Sequence, residues 1–227
     1  MALDAYTKSL LHMDGANDST SIIDVSGKAW TAYGDAKLKT AQHKFGSSSC
    51  YFDGAGDYIN TPDHADFYTA GGNFTIDFWL YTASGTFARI CGQGNSVSDY
   101  AGSANFITIM SSNSVRVTIP QAASYIHALS PTITINDSVW HHVAMIRNGN
   151  NLYCAVDGTL GGATDVTGIT ALDGAYPFTL GRWGDWASDY FNGYIDEFRF
   201  SKGIARWTVN FTPPARPYVT TPQIIIY

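Results

Sequence analysis

Residues 190–200 read Tyr-Phe-Asn-Gly-Tyr-Ile-Asp-Glu-Phe-Arg-Phe, a run of aromatic and β-branched residues closed by Ser201-Lys202-Gly203. Such a composition suits a long, half-buried strand. Period-two alternation recurs on both sides of it. Phe74–Leu80 sets Phe74, Ile76, Phe78 and Leu80 on one face and Thr75, Asp77 and Trp79 on the other. Val115–Ile119 turns Arg116 and Thr118 outward, and Val139–Arg147 and Leu152–Val156 flank the hairpin signal Asn-Gly-Asn-Asn. Further strands are expected at Ser9–Met13, Cys50–Phe52, Tyr58–Thr61, Phe87–Gly92, Phe106–Met110 and Phe178–Gly181. No window carries a helical stripe, and short turns of helix are expected only near Ala65–Phe67 and Lys202–Ala205. Many short strands parted by Gly, Asn and Asp point to an all-β sandwich or jelly roll, with first and last strands side by side.

The 227 residues suit one large β domain with a real core. Charged residues are only 14%, as half-buried strands require. A net charge of −6 and no Lys/Arg cluster exclude a nucleic-acid footprint and disfavour anionic lipid. No apolar run approaches a membrane span. Cys50, Cys91 and Cys154 sit in strand-like runs and read as small buried thiols, a single disulfide being the alternative. Residues 1–15 lack a basic start followed by an apolar core, so no export signal is read. The division expected is a sandwich over 1–212 and an extended Pro-rich arm over 213–227, ending in the apolar strand Gln223–Tyr227.

The 190–200 run, together with Trp-His-His-Val-Ala at 140–144 and Phe-Asp-Gly-Ala-Gly-Asp-Tyr at 52–58, resembles the LamG-like jelly roll of the concanavalin A-like lectin and glucanase group. Leu-Leu-His-Met-Asp-Gly at 10–15 and Leu-Tyr-Cys-Ala-Val-Asp-Gly at 152–158 fall where that family has them, so the resemblance runs from about Leu10 to Tyr218. It implies a jelly-roll sandwich of two antiparallel sheets. The ending at 205–218 also resembles LamG-like modules of phage tail and virion proteins.

Glucanase relatives carry a Glu-x-Asp-x-Glu type strand whose alternation sets acid and nucleophile on one face. Here Tyr194 stands two before Asp196, and Glu197 beside Arg199 reads as an ion pair. No Gly-x-Ser-x-Gly elbow occurs. His141 and His142 alternate to opposite faces, one expected buried and the other outward. No catalytic residues are therefore expected.

The resemblance raises calcium as a structural cofactor. Asp14 after the first strand, Asp196 in the last and Asp24 in the Ile-Asp-Val-Ser-Gly turn would supply its carboxylates if the end strands pair. The alternative is that Asp14 and Asp24 are Asx-turn residues and Asp196 accepts backbone hydrogen bonds. For a sugar, the flat aromatic faces of the 181–190 loop are the candidates: Arg182, Trp183, Trp186 and Tyr190, with Tyr100 from the 97–104 loop. The alternative is that these rings fold back as packing. Trp30 and Trp207 are expected to pack.

The expectation from the whole is a non-catalytic protein on a virus particle, made in the host cytoplasm. It would act as head decoration or as a tail-fibre component recognising host-surface glycans. A structural decoration protein without sugar affinity and a glycan-cleaving enzyme are the other readings. Partners expected are a host glycan and other virion proteins met through the C-terminal arm, with self-association open and no nucleic acid or membrane insertion.

Overall fold

The protein is described by a computed structural model covering residues 3–94, 106–111, 114–121, 124–171, 173–184 and 187–218. Its strands are β1 (Thr7–Leu11), β2 (Thr31–Tyr33), β3 (Lys37–Lys39), β4 (Ser49–Asp53), β5 (Tyr58–Thr61), β6 (Phe74–Tyr81), β7 (Ala88–Gln93) and β8 (Phe106–Ser111). They continue as β9 (Ser114–Gln121), β10 (Ser124–Leu129), β11 (Trp140–Asn148), β12 (Asn151–Val156), β13 (Thr159–Leu160), β14 (Thr164–Asp165), β15 (Phe178–Leu180) and β16 (Asn192–Lys202). No helix occurs among the described residues.

Two antiparallel sheets form. One runs β13-β12-β11-β6-β16-β4-β3, with β1 added to β16 and β14 to β12; the other runs β10-β9-β8-β7-β15-β5-β2. The fold is the all-β sandwich expected from the alternation. First and last strands pair as expected, Leu10 opposite Arg199 and Leu11 opposite Phe198. β16 can be long because β6 covers one edge while β4 and β1 share the other.

Phe74, Ile76, Phe78 and Leu80 all lie in the core between the sheets, with Phe178, Phe198 and Phe200. The alternation sets Thr75, Asp77 and Trp79 on the other face of β6, which a sheet packed on one side only would leave to solvent. Instead Thr75, Asp77 and Trp79 are buried too. Thr75 and Asp77 are covered by the segment after β16, which runs back across this face, and Trp79 by Lys44 and Phe45 from the stretch before β4. Trp207 and Phe211 stack at 4.1 Å and 8° and pack on Ala144 and Ile146. Tyr218, inside the expected arm, is only 7% exposed. The Pro-rich stretch therefore closes the sheet as far as Tyr218; the terminal strand at 223–227 lies outside the described residues.

A bulge interrupts β16. Asp196 pairs with Trp79 and Arg199 with Asp77, so two residues of β16 oppose one of β6. Glu197 takes φ 50° to make it, a strained conformation for a residue with a Cβ. Ile195 and Phe198, three apart, thus both reach the core. All three cysteines are free and buried, as small core thiols.

Candidate functional site

Under the closing segment lies a polar cluster. The Asp77 carboxylate, fully buried, receives the Arg199 fork at 3.0 and 2.8 Å and the Tyr218 hydroxyl. Burial pushes Asp77 up, but the charge of Arg199 and the bonds from His142 and Arg199 outweigh it and hold the carboxyl well below its ordinary range. Glu197 does not pair with Arg199 as its sequence position suggested. The bulge aims it at His12 (2.8 Å) and at the Tyr218 backbone N–H (2.9 Å). The bond to Glu197 raises the His12 imidazole above its usual value.

His141 and His142 are both buried, contrary to the expectation that one faces out. His141 bonds Asp157 and Asp137 at the sandwich end, and His142 bonds the Tyr218 hydroxyl under the closing segment. The outward face of β11 is not outward once the chain folds over it.

The three carboxylates expected to meet around calcium each accept hydrogen bonds from protein donors. Asp24 accepts from the backbone N–H groups of Leu10 and Ser26, the Ser9 hydroxyl and the Trp30 indole. Asp14 accepts from Ser47 N and Oγ through one oxygen. Asp196 is fully buried and accepts from Lys44 N, Phe45 N and Glu197 N. Burial is the main cause that pushes Asp196 up to about 7, against the pull of those donors. Among the described residues no group of three His, Cys, Asp or Glu side chains is placed to hold a metal ion. Asp24 makes an Asx turn with Ser26 and Asp196 accepts backbone N–H groups, whereas Asp14 makes no Asx turn and instead holds the distant Ser47. Both oxygens of Asp196 and both of Glu197 are likewise held by protein partners.

The expected sugar loop divides. Gly181, at φ 90°, ends β15 where a Cβ would meet Phe52 at 2.6 Å, so only glycine allows this turn. Trp183 then goes inward. It is fully buried, with the Arg89 guanidinium 5.2 Å from its ring, and so offers no face to a sugar; this corrects the expectation. Arg182 goes outward. Its guanidinium lies 3.5 Å from the Tyr58 ring centre, and Tyr58 stacks on Tyr33 at 4.5 Å and 5°. Tyr33 and Tyr58 are cross-strand partners on β2 and β5. Tyr190, half-buried, lies within electrostatic reach of Tyr58. Arg182 and Tyr190 thus both lie near Tyr58, which with Tyr33 sequence reasoning passed over. Trp186, Tyr100 and the 97–104 loop lie outside the described residues.

Arg182 is partly buried. Among the described residues the ion-paired arginines are Arg89, Arg199 and Arg206. No described carboxylate pairs with Arg182, and its buried Nε has no hydrogen-bond partner among the described residues. A cation stacked on rings and short of acceptors favours an acidic or hydroxyl-rich group.

Two antiparallel sheets packed face to face, with first and last strands paired at the centre of one, define a lectin-type jelly roll. The chain belongs to the concanavalin A-like lectin/glucanases superfamily, whose profile matches residues 53–205. No curated protein matches the sequence. Among solved structures, the binding domain of Paraclostridial Mosquitocidal Protein 1 is similar at TM-score 0.65 and 12% identity, covering 88% of this chain and 49% of that one. The binding domain of Botulinum neurotoxin DC in complex with rat synaptotagmin II gives 0.66 and 15%, covering 89% and 50%. The Botulinum neurotoxin serotype D ligand binding domain in complex with N-acetylneuraminic acid gives 0.64 and 13%, covering 88% and 48%. At these identities the likeness is one of fold, and the chain spans about half the length of those domains.

Proposed function

We propose that this chain is a non-catalytic recognition domain for a surface carbohydrate, held at Arg182 over the Tyr58–Tyr33 stack. The observation that carries the reading is that guanidinium, stacked on a tyrosine pair and paired with no described carboxylate. Its charge favours a glycan bearing a carboxylate. Support comes from the similar toxin domains, one solved with N-acetylneuraminic acid and another with a protein receptor. The saturated carboxylates of β16 support binding without cleavage. The setting we infer is the surface of a phage head or tail, supported by the resemblance of the 205–218 ending to virion modules.

A glycan array with the intact protein, repeated with Arg182→Gln and Tyr33→Ala, tests this. Acidic glycans should be retained by the intact protein and lost, by about tenfold or more in affinity, by each variant. Retention that ignores both substitutions, or an array with no bound glycan, would sink the reading.

A further inference from the structure

On the opposite sheet, four aromatic side chains stand in one line across four strands. Tyr51 on β4 is the register partner of Tyr194 on β16; Tyr194 is the partner of Tyr81 on β6; Tyr81 is the partner of Trp140 on β11. Ring centres are 4.9, 5.8 and 5.5 Å apart along the line. Their neighbours in sequence fix the side on which they stand. Cys50, Phe52, Leu80 and Ile195 point into the core, so these four rings point away from it. All four are half-exposed. With strands about 4.8 Å apart, the row is about 15 Å long.

Cross-strand aromatic pairs also stabilise a sheet, so contact alone would not set this row apart. Three features do. First, the closing segment covers His142 on the adjoining part of the same face and Lys44 and Phe45 cover Trp79, while these four rings keep part of their surface exposed. Contiguous exposed apolar surface of this kind marks an interaction site. Second, every ring has a polar tip, and among the described residues none of the three phenols nor the Trp140 indole N–H has a protein hydrogen-bond partner. Third, the cations at the margin of the row are partly offset by a shared carboxylate. The lysines at its β3 end, Lys37 and Lys39, both pair with Asp18, at 3.8 and 2.6 Å.

We propose that this row is a second binding site, for a neutral, extended oligosaccharide lying across the strands. It rests on the carbohydrate reading above but uses a different sheet and no residue of the Arg182 site. Sugar units present C–H faces to rings and hydroxyl edges to polar tips, which is what the row offers. Its length fits several units rather than one. The rings tilt by 43°, 81° and 51° to one another, so the surface is stepped. A stepped row suits a single chain whose units rotate relative to each other and does not suit a flat crystalline face. Asn192, exposed beside Tyr194 on the same face of β16, adds an amide at the margin.

The test is calorimetric titration with cello-, chito- and manno-oligosaccharides, from monosaccharide to hexasaccharide. Affinity for at least one series should climb with chain length and then level off. Tyr194→Ala and Trp140→Ala should each weaken it by about tenfold or more, and Arg182→Gln should leave it unchanged. Hydroxyl-radical footprinting of the unsubstituted protein should show Tyr51, Tyr81, Tyr194 and Trp140 protected by saturating ligand, which decides the matter if a variant melts poorly. Binding that is indifferent to chain length and leaves the four rings unprotected would overturn this site and leave the carbohydrate reading standing. Failure to bind any member, while acidic glycans bind at Arg182, would do the same. Failure of both experiments would remove both proposals.

Discussion

Arg199→Met tests what holds the outer face of the sheet closed. Methionine keeps the unbranched stem that packs beneath Trp207 and Tyr218, whose rings lie 5.9 and 3.9 Å from the guanidinium. It removes both N–H groups that Asp77 receives at 3.0 and 2.8 Å. Asp77 is fully buried, so its charge is then left with the Tyr218 hydroxyl and His142 at 3.5 Å. Breaking a buried pair from one side costs about 3–5 kcal/mol. At roughly 2–4 °C per kcal/mol for a chain of this size, the melting temperature should fall by about 6–20 °C. Urea unfolding followed by tryptophan fluorescence at neutral pH, with calorimetry beside it, reads this. Asp77→Leu combined with Arg199→Met should recover much of the loss, because a buried pair replaced as a unit leaves no lone charge. The acid limb gives a further check. The folded Asp77 carboxyl lies below its unfolded value of 3.8. The stabilisation from Asp77 ionisation is therefore complete above that value and is lost as pH falls through the lower, folded one. In Arg199→Met this acid sensitivity should shrink. A single variant within about 1 kcal/mol of the parent, or a double variant no better than the single, would refute the account.

Trp183→Ala should cost about 3–5 kcal/mol in urea unfolding whether or not a glycan is present, since the ring is fully buried; a near-neutral result would return it to the ligand surface. Chelation should leave the melting temperature unchanged, because Asp14, Asp24 and Asp196 are already engaged by protein donors. A drop under chelator that added Ca²⁺ reverses would show that these carboxylates rearrange around an ion.

The alternation of Phe74–Leu80 was enough to name the core face of β6, since a strand's side chains alternate whatever lies around it. The same local rule placed Tyr58–Thr61 and the hairpin of β11 and β12, while the pairing of the first and last strands followed from the habit of the fold class. Even the bulge leaves a trace in the sequence: Ile195 is out of step with Phe198 and Phe200, and one extra residue reconciles them. Arg182 and Tyr190 were legible as candidates because polar-aromatic loops between strands stand out against their surroundings. What covers a face is another matter. Nothing near Asp77, His142 or Trp183 announces that they are buried. Their cover comes from the closing segment far along the chain and from packing beside Arg89. The row of Tyr51, Tyr81, Trp140 and Tyr194 was equally out of reach. Those residues are scattered over most of the sequence and become neighbours only through the strand order β4-β16-β6-β11 and its register. Local pattern sets the side of a strand on which a residue stands. Long-range pairing alone decides what stands beside it and what lies on top.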